Sequence, residues 1–98
     1  MIKRIRELAK TGAIEFTHHA RTQMYKRKIE STEVKKCLLN GEIIEEYRGD
    51  KPYPGFLLCM KLDQKYLHVV CAVAKEQLFI ITTYYPDDDL WIAHKKRK

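Results

Sequence analysis

Four side chains in this sequence have the chemistry to move protons or grip phosphate near neutral pH: His19, Arg27, His68 and Tyr84. Histidine titrates close to neutrality and can act as acid or base. Cleavage of RNA without a metal needs little more. A base takes the proton of a 2′-hydroxyl, an acid protonates the departing 5′-oxygen, and cations steady the charged phosphorane. Arg21, Arg27 and Lys61 are candidate phosphate clamps. Tyr53, Tyr84 and Tyr85 are candidates to stack on an unpaired base. The same residues have plainer uses. A histidine in an apolar run is often a hydrogen-bonded core residue, and polar residues on an amphipathic helix are often its wet side.

Folding must bring these groups together. Tyr66 to Tyr85 reads as two β-rich runs around a short polar break, Lys75-Glu76, which is a hairpin signal. In the first run Leu67, Val69, Cys71 and Val73 form one apolar face, and Tyr66, His68, Val70 and Ala72 form the other. Register decides the partner of His68. A three-residue loop sets His68 opposite Thr82 and Tyr66 opposite Tyr84; a two-residue loop sets His68 opposite Thr83 and turns Tyr84 to the other face. Upstream, Glu42–Tyr47 and Phe56–Leu62 read as two more strands, separated by a loop containing Gly49, Pro52, Pro54 and Gly55.

Helices come first in the chain. Ile2, Ile5, Leu8 and Ala9 recur at helical spacing, and Gly12 can stop that helix. Ala13–Phe16 is a short apolar link. Thr17 is an N-cap for a second helix from His18 to Lys28, with His19, Gln23 and Arg27 in one polar stripe beside Ala20 and Met24. Ser31 or Thr32 caps a third helix that buries Val34, Cys37 and Leu38, and Gly41 is a candidate left-handed end.

Helices followed by strands predict an α+β fold, with the helices packed on one face of a curved antiparallel sheet of about four strands. The expected parts of a single domain are a helix over 1–12, a helical part over 13–40, the sheet over 42–86 and a C-terminal tail over 87–98. Trp91 is expected to anchor that tail. The sheet face away from the helices is then free to form a concave site, if His68 points there.

Composition narrows the function classes. The 98 residues are 45% hydrophobic and 33% charged, as in an ordinary globular domain. No apolar run approaches a membrane span, and the basic N-terminus lacks the apolar segment of a signal peptide, so a cytoplasmic protein is expected. Cys37, Cys59 and Cys71 lie in apolar runs and read as reduced core thiols. Four ligands at zinc spacing are absent, and there is no phosphate loop or nucleophile elbow; no metal or cofactor is expected. The acidic clusters Glu45-Glu46 and Asp87–Asp89 look like solvated faces. Net charge is +6, but residues 1–28 carry +6, residues 29–93 carry −4 and the last five carry +4. Basic ends suit a polyanion such as a nucleic acid; the plainer reading is solvated surface charge and a frayed tail.

Several motifs in order resemble one bacterial family, catalogued as domain of unknown function 4258. They are His19-Ala20-Arg21 with Met24, Arg27, Ile29, Ser31 and Val34; Leu39-Asn40-Gly41-Glu42-Ile43-Ile44; Tyr53-Pro54; Leu67-His68-Val69-Val70; and Ile81-Thr82-Thr83-Tyr84-Tyr85-Pro86 with Trp91. The resemblance implies a relative of the RelE-type and MqsR-type toxins, with a barnase/RelE-like fold and metal-independent endoribonuclease activity. It also implies a partner, a zinc-finger antitoxin of the YgiT/MqsA type. By that analogy His19, Arg27, His68, Thr82 and Tyr84 are the functional set. The alternative is a non-catalytic module of the same fold that binds RNA or protein.

Overall fold

A computed structural model describes all 98 residues. The first helix, α1 (Ile2–Lys10), turns Ile5, Leu8 and Ala9 inward. Gly12 then takes φ +78, a conformation that L side chains rarely adopt, and redirects the chain. Thr17 caps α2 (His18–Arg27) as expected: its hydroxyl accepts the Ala20 N–H at 3.1 Å. The same hydroxyl donates to the Ile80 carbonyl at 2.9 Å, tying the start of the helix to the sheet.

The third helix, α3 (Ser31–Asn40), buries Val34, Cys37 and Leu38. Its N-cap is Glu30 rather than Ser31 or Thr32, and the Glu33 carboxylate reaches back to the Glu30 N–H at 2.8 Å. Gly41 is not left-handed, as expected from its place after the helix; its φ is −76. Closeness explains the glycine instead. A Cβ there would lie 2.6 Å from the Cys37 carbonyl oxygen and 2.9 Å from that of Cys59.

The sheet has five strands, not about four, and is mixed rather than antiparallel. Its strands are β1 (Ile14–Phe16), β2 (Glu42–Tyr47), β3 (Gly55–Leu62), β4 (Lys65–Val73) and β5 (Leu78–Tyr84), in the order β1-β5-β4-β3-β2. The extra strand is the apolar link before α2. It has only three residues, too few to show a two-residue period, and pairs parallel to β5 at the edge. The helices pack on one face, where Phe56, Leu58, Leu67, Val69, Cys71, Leu78 and Ile80 join Ile5, Leu8, Val34 and Leu38 in one core. Cys37, Cys59 and Cys71 are free and buried, and burial pushes the thiols of Cys37 and Cys71 up to about 12. No helix is long and apolar enough to cross a membrane.

The other face carries Leu57, Cys59, Lys61, Tyr66, His68, Val70 and Ala72, as the pairing of β3 with β4 requires. It is not left open. The C-terminal residues, expected as a tail, form a small hairpin of β6 (Trp91–Ile92) and β7 (Lys96–Arg97). That hairpin lies over His68, and Trp91 is its anchor, only 3% exposed.

Candidate functional site

The site begins with register. At the β4–β5 turn Val73 faces Leu78, and the Ala74 N–H donates to Gln77 O at 2.9 Å, the register of a two-residue turn. That register alone would put Thr83 opposite His68. A bulge at Ile81 adds one residue to β5, so Thr82 faces Val70 and Tyr84 faces His68. Neither alignment expected from loop length occurs, because the bulge intervenes. Thr83 turns to the core face, is fully buried, and its hydroxyl donates to the His68 carbonyl at 2.8 Å.

A second bulge does the same work on β2. Ile43 faces Leu58, but Glu45 faces Leu57, so the pairing skips Ile44. Glu45 therefore turns to the His68 face instead of forming a solvated pair with Glu46. Its carboxylate accepts from the Arg97 Nε at 3.0 and 3.1 Å and from the Tyr47 hydroxyl.

His68 is completely buried, and both ring nitrogens are engaged. Nε2 lies 2.6 Å from the His94 carbonyl oxygen, and Nδ1 lies 3.3 Å from the Tyr84 hydroxyl. A carbonyl only accepts, so Nε2 carries the proton and donates; Nδ1 is bare and accepts from Tyr84. Burial holds the His68 pKa below the ordinary histidine value, with the His94 carbonyl opposing that shift in part. Burial also raises the Tyr84 pKa, which keeps its phenol protonated at neutral pH. Trp91 meets the imidazole edge-on at 4.5 Å between ring centroids, and the Arg97 guanidinium lies over the Trp91 ring, 4.5 Å from its centroid.

The remaining candidate residues are spread over the fold. Thr82 shares the His68 face, and Lys61 sits at its edge, 6.0 Å from the Tyr66 ring. His19, Arg21 and Arg27 are exposed on α2 and make no contact with His68; the Arg27 Nε donates to Gln23 within the helix at 3.1 Å. Tyr85 packs against the core on the opposite face, with Lys65 4.8 Å from its ring. Tyr53 lies parallel to Phe79, centroids 6.1 Å apart. Together they edge an apolar cleft of about 400 Å³ that continues the His68 face past Val70, Ala72 and Ile81. No three His, Cys, Asp or Glu side chains cluster as a metal site would require. Glu45, His94 and Arg97 were missed. The basic run at the chain end and the acidic run of β2 were each visible, but only the fold shows that they pair.

No curated protein matches the chain, and no solved structure matches it. A family model does match, over residues 16–85, from the end of β1 through β5 to Tyr85. The chain belongs to the family described as domain of unknown function DUF4258.

Proposed function

We propose that the protein cleaves RNA without a metal, as the toxin of a toxin–antitoxin pair, with His68 and Tyr84 at its centre. The observation that carries this reading is the Tyr84 hydroxyl set on the His68 Nδ1 by a strand bulge. Bulges recur beside active sites because they re-aim one side chain without dismantling the sheet. A phenol can donate to Nδ1 or accept from it, so His68 can offer Nε2 either bare or protonated. With Nε2 bare, it takes the 2′-hydroxyl proton and the 2′-oxygen attacks phosphorus. Nδ1 passes a proton to the Tyr84 oxygen as the Tyr84 proton goes to the departing 5′-oxygen, leaving a 2′,3′-cyclic phosphate and a 5′-hydroxyl. Arg21, Arg27 and Lys61 supply phosphate contacts, Thr82 and Tyr53 line the approach, and His19 is a further proton-transfer group on α2. The toxin role, a RelE-like fold relationship and a zinc-finger antitoxin rest on the family resemblance.

The test is purified full-length protein on end-labelled RNA in EDTA, with His68→Gln beside wild type. Glutamine keeps a donor for the His94 carbonyl but cannot accept a proton. Cleavage should fall by roughly 100-fold or more, the scale of a lost general base, while the melting temperature stays within a few degrees. Intact RNA with folded wild type, and no growth arrest on induced expression, overturns the reading.

One observation favours a non-catalytic binding module instead: His68 has no exposed surface and no free ring nitrogen. On that reading His68→Gln alters neither RNA integrity nor binding, and His68→Ala acts only by lowering the melting temperature.

A further inference from the structure

Residues 87–98 stand apart from the rest of the chain in three ways. They lie beyond the family match, which ends at Tyr85. Their two strands pair only with each other and join no strand of the main sheet. And they cover the single face on which the bulges assemble Glu45, His68 and Tyr84. The His94 carbonyl oxygen, 2.6 Å from the His68 Nε2, holds the place that a substrate oxygen would take on that nitrogen.

The way this segment is held down suggests what lifts it. Lys95 pairs with Glu42 at 2.6 Å and Arg97 with Glu45 at 3.0 Å; both pairs are solvent-accessible and open to competition. Lys96 and Lys98 make no ion pair and are exposed. The segment therefore offers cations to a phosphate chain even while it is closed. Its turn is also strained. Ala93 and His94 both sit in the left-handed region, at φ 51 and 65, where a Cβ crowds the backbone.

We infer that residues 87–98 form a self-masking strap over His68 and Tyr84, and that RNA opens it by drawing Lys95 and Arg97 from Glu42 and Glu45 onto phosphates. The inference rests on the ribonuclease reading for its purpose but not for its test. Opening moves the His94 carbonyl off Nε2, withdraws Trp91 from the imidazole edge and uncovers the site at the moment its substrate is bound. In the absence of RNA the strap keeps His68 dry and occupied.

Trp91 is the only tryptophan, so its emission reports the strap directly. The experiment follows Trp91 emission wavelength, acrylamide quenching and amide hydrogen exchange over residues 90–98 in the full chain. A fluorescently labelled single-stranded RNA is titrated in, with its anisotropy read in parallel. RNA should shift Trp91 emission to the red and raise quenching and exchange several-fold. Lys95→Gln/Arg97→Gln should show the open signature without RNA. Ala93→Gly should do the reverse, relieving the turn and demanding more RNA for the same shift. RNA that binds while Trp91 and residues 90–98 stay protected overturns the strap, and cleavage under those conditions leaves the ribonuclease reading standing. Opening without cleavage supports the strap and removes the ribonuclease. Absence of RNA binding overturns both.

Discussion

His68 is the residue on which the proposed chemistry turns, and its burial gives it a measurable signature. The groups facing it are Cys59 from β3, Tyr84 from β5, Glu45 from β2, and His94 and Arg97 from the C-terminal hairpin. Folding lowers its pKa, chiefly because the charged imidazole would be desolvated. Above the unfolded value of about 6.5 the ring is neutral in both states and contributes no pH dependence. Below it the unfolded chain takes up a proton that the folded chain resists, so stability falls as the pH drops through about 6.5 toward the lower folded value. Chemical denaturation of wild type and His68→Gln between about pH 5 and 8 isolates this effect. The wild-type curve should dip on the acid side relative to the variant. Parallel curves would mean that His68 protonates as easily inside as outside.

The elements show which parts of the fold were legible and which were not. The helices were: Thr17 as a cap, the Ala20–Met24 stripe and the Val34, Cys37, Leu38 face are local patterns with local causes. The alternation of β4 was equally clear, and His68 was correctly separated from Leu67, Val69 and Cys71. What a single sequence does not display is the pair of bulges at Ile44 and Ile81. Nothing in Ile-Ile-Glu-Glu or Ile-Ile-Thr-Thr marks which residue will be passed over; the partner strands decide that. Each bulge moves one polar side chain across the sheet, so a one-residue ambiguity in register decides which side chains share the His68 face. β1 and the C-terminal hairpin were missed because short elements have no periodicity and are held by distant partners. Gly41 makes a related point, since its glycine was read as a left-handed cap when its cause is the approach of α3 to β3. Gly41→Ala should therefore be costly. A Cβ at 2.6 Å from one carbonyl oxygen and 2.9 Å from another forces both backbones apart. A loss of roughly 2–3 kcal/mol is expected, in the range of overpacking, seen as a melting temperature lower by on the order of 10 °C. A neutral substitution would show that α3 and β3 can separate without cost, and the core would be softer than its burial implies.

At the scale of the molecule, charge decides how a polyanion would lie. The net charge of +6 is concentrated at the two ends of the chain, and folding treats them differently. At the C-terminal end Lys95 and Arg97 are committed to Glu42 and Glu45. On α2, by contrast, Arg21, Lys26 and Arg27 are exposed and make no ion pair. α2 also packs beside β5, and its cap Thr17, bonded to Ile80, lines the apolar cleft, so the N-terminal end of this helix adjoins the cleft. A single strand that places a base by Tyr53 and Phe79 would run its phosphates along this helix. If so, neutralising α2 should change the salt dependence of RNA binding, not only its strength. Each phosphate contact on a single strand contributes a slope of about 0.7 in log affinity against log salt, so Arg21→Gln/Arg27→Gln should reduce the slope by about 1.4. Lys35→Gln/Lys36→Gln, the same change of charge on exposed positions of α3, is the control. It should lower affinity slightly through net charge while leaving the slope in place. Equal slope changes in the two variants would mean that RNA responds to total charge and has no defined track across the protein. A change confined to the α2 variant would fix the direction of the strand and carry it past Thr17 toward His68.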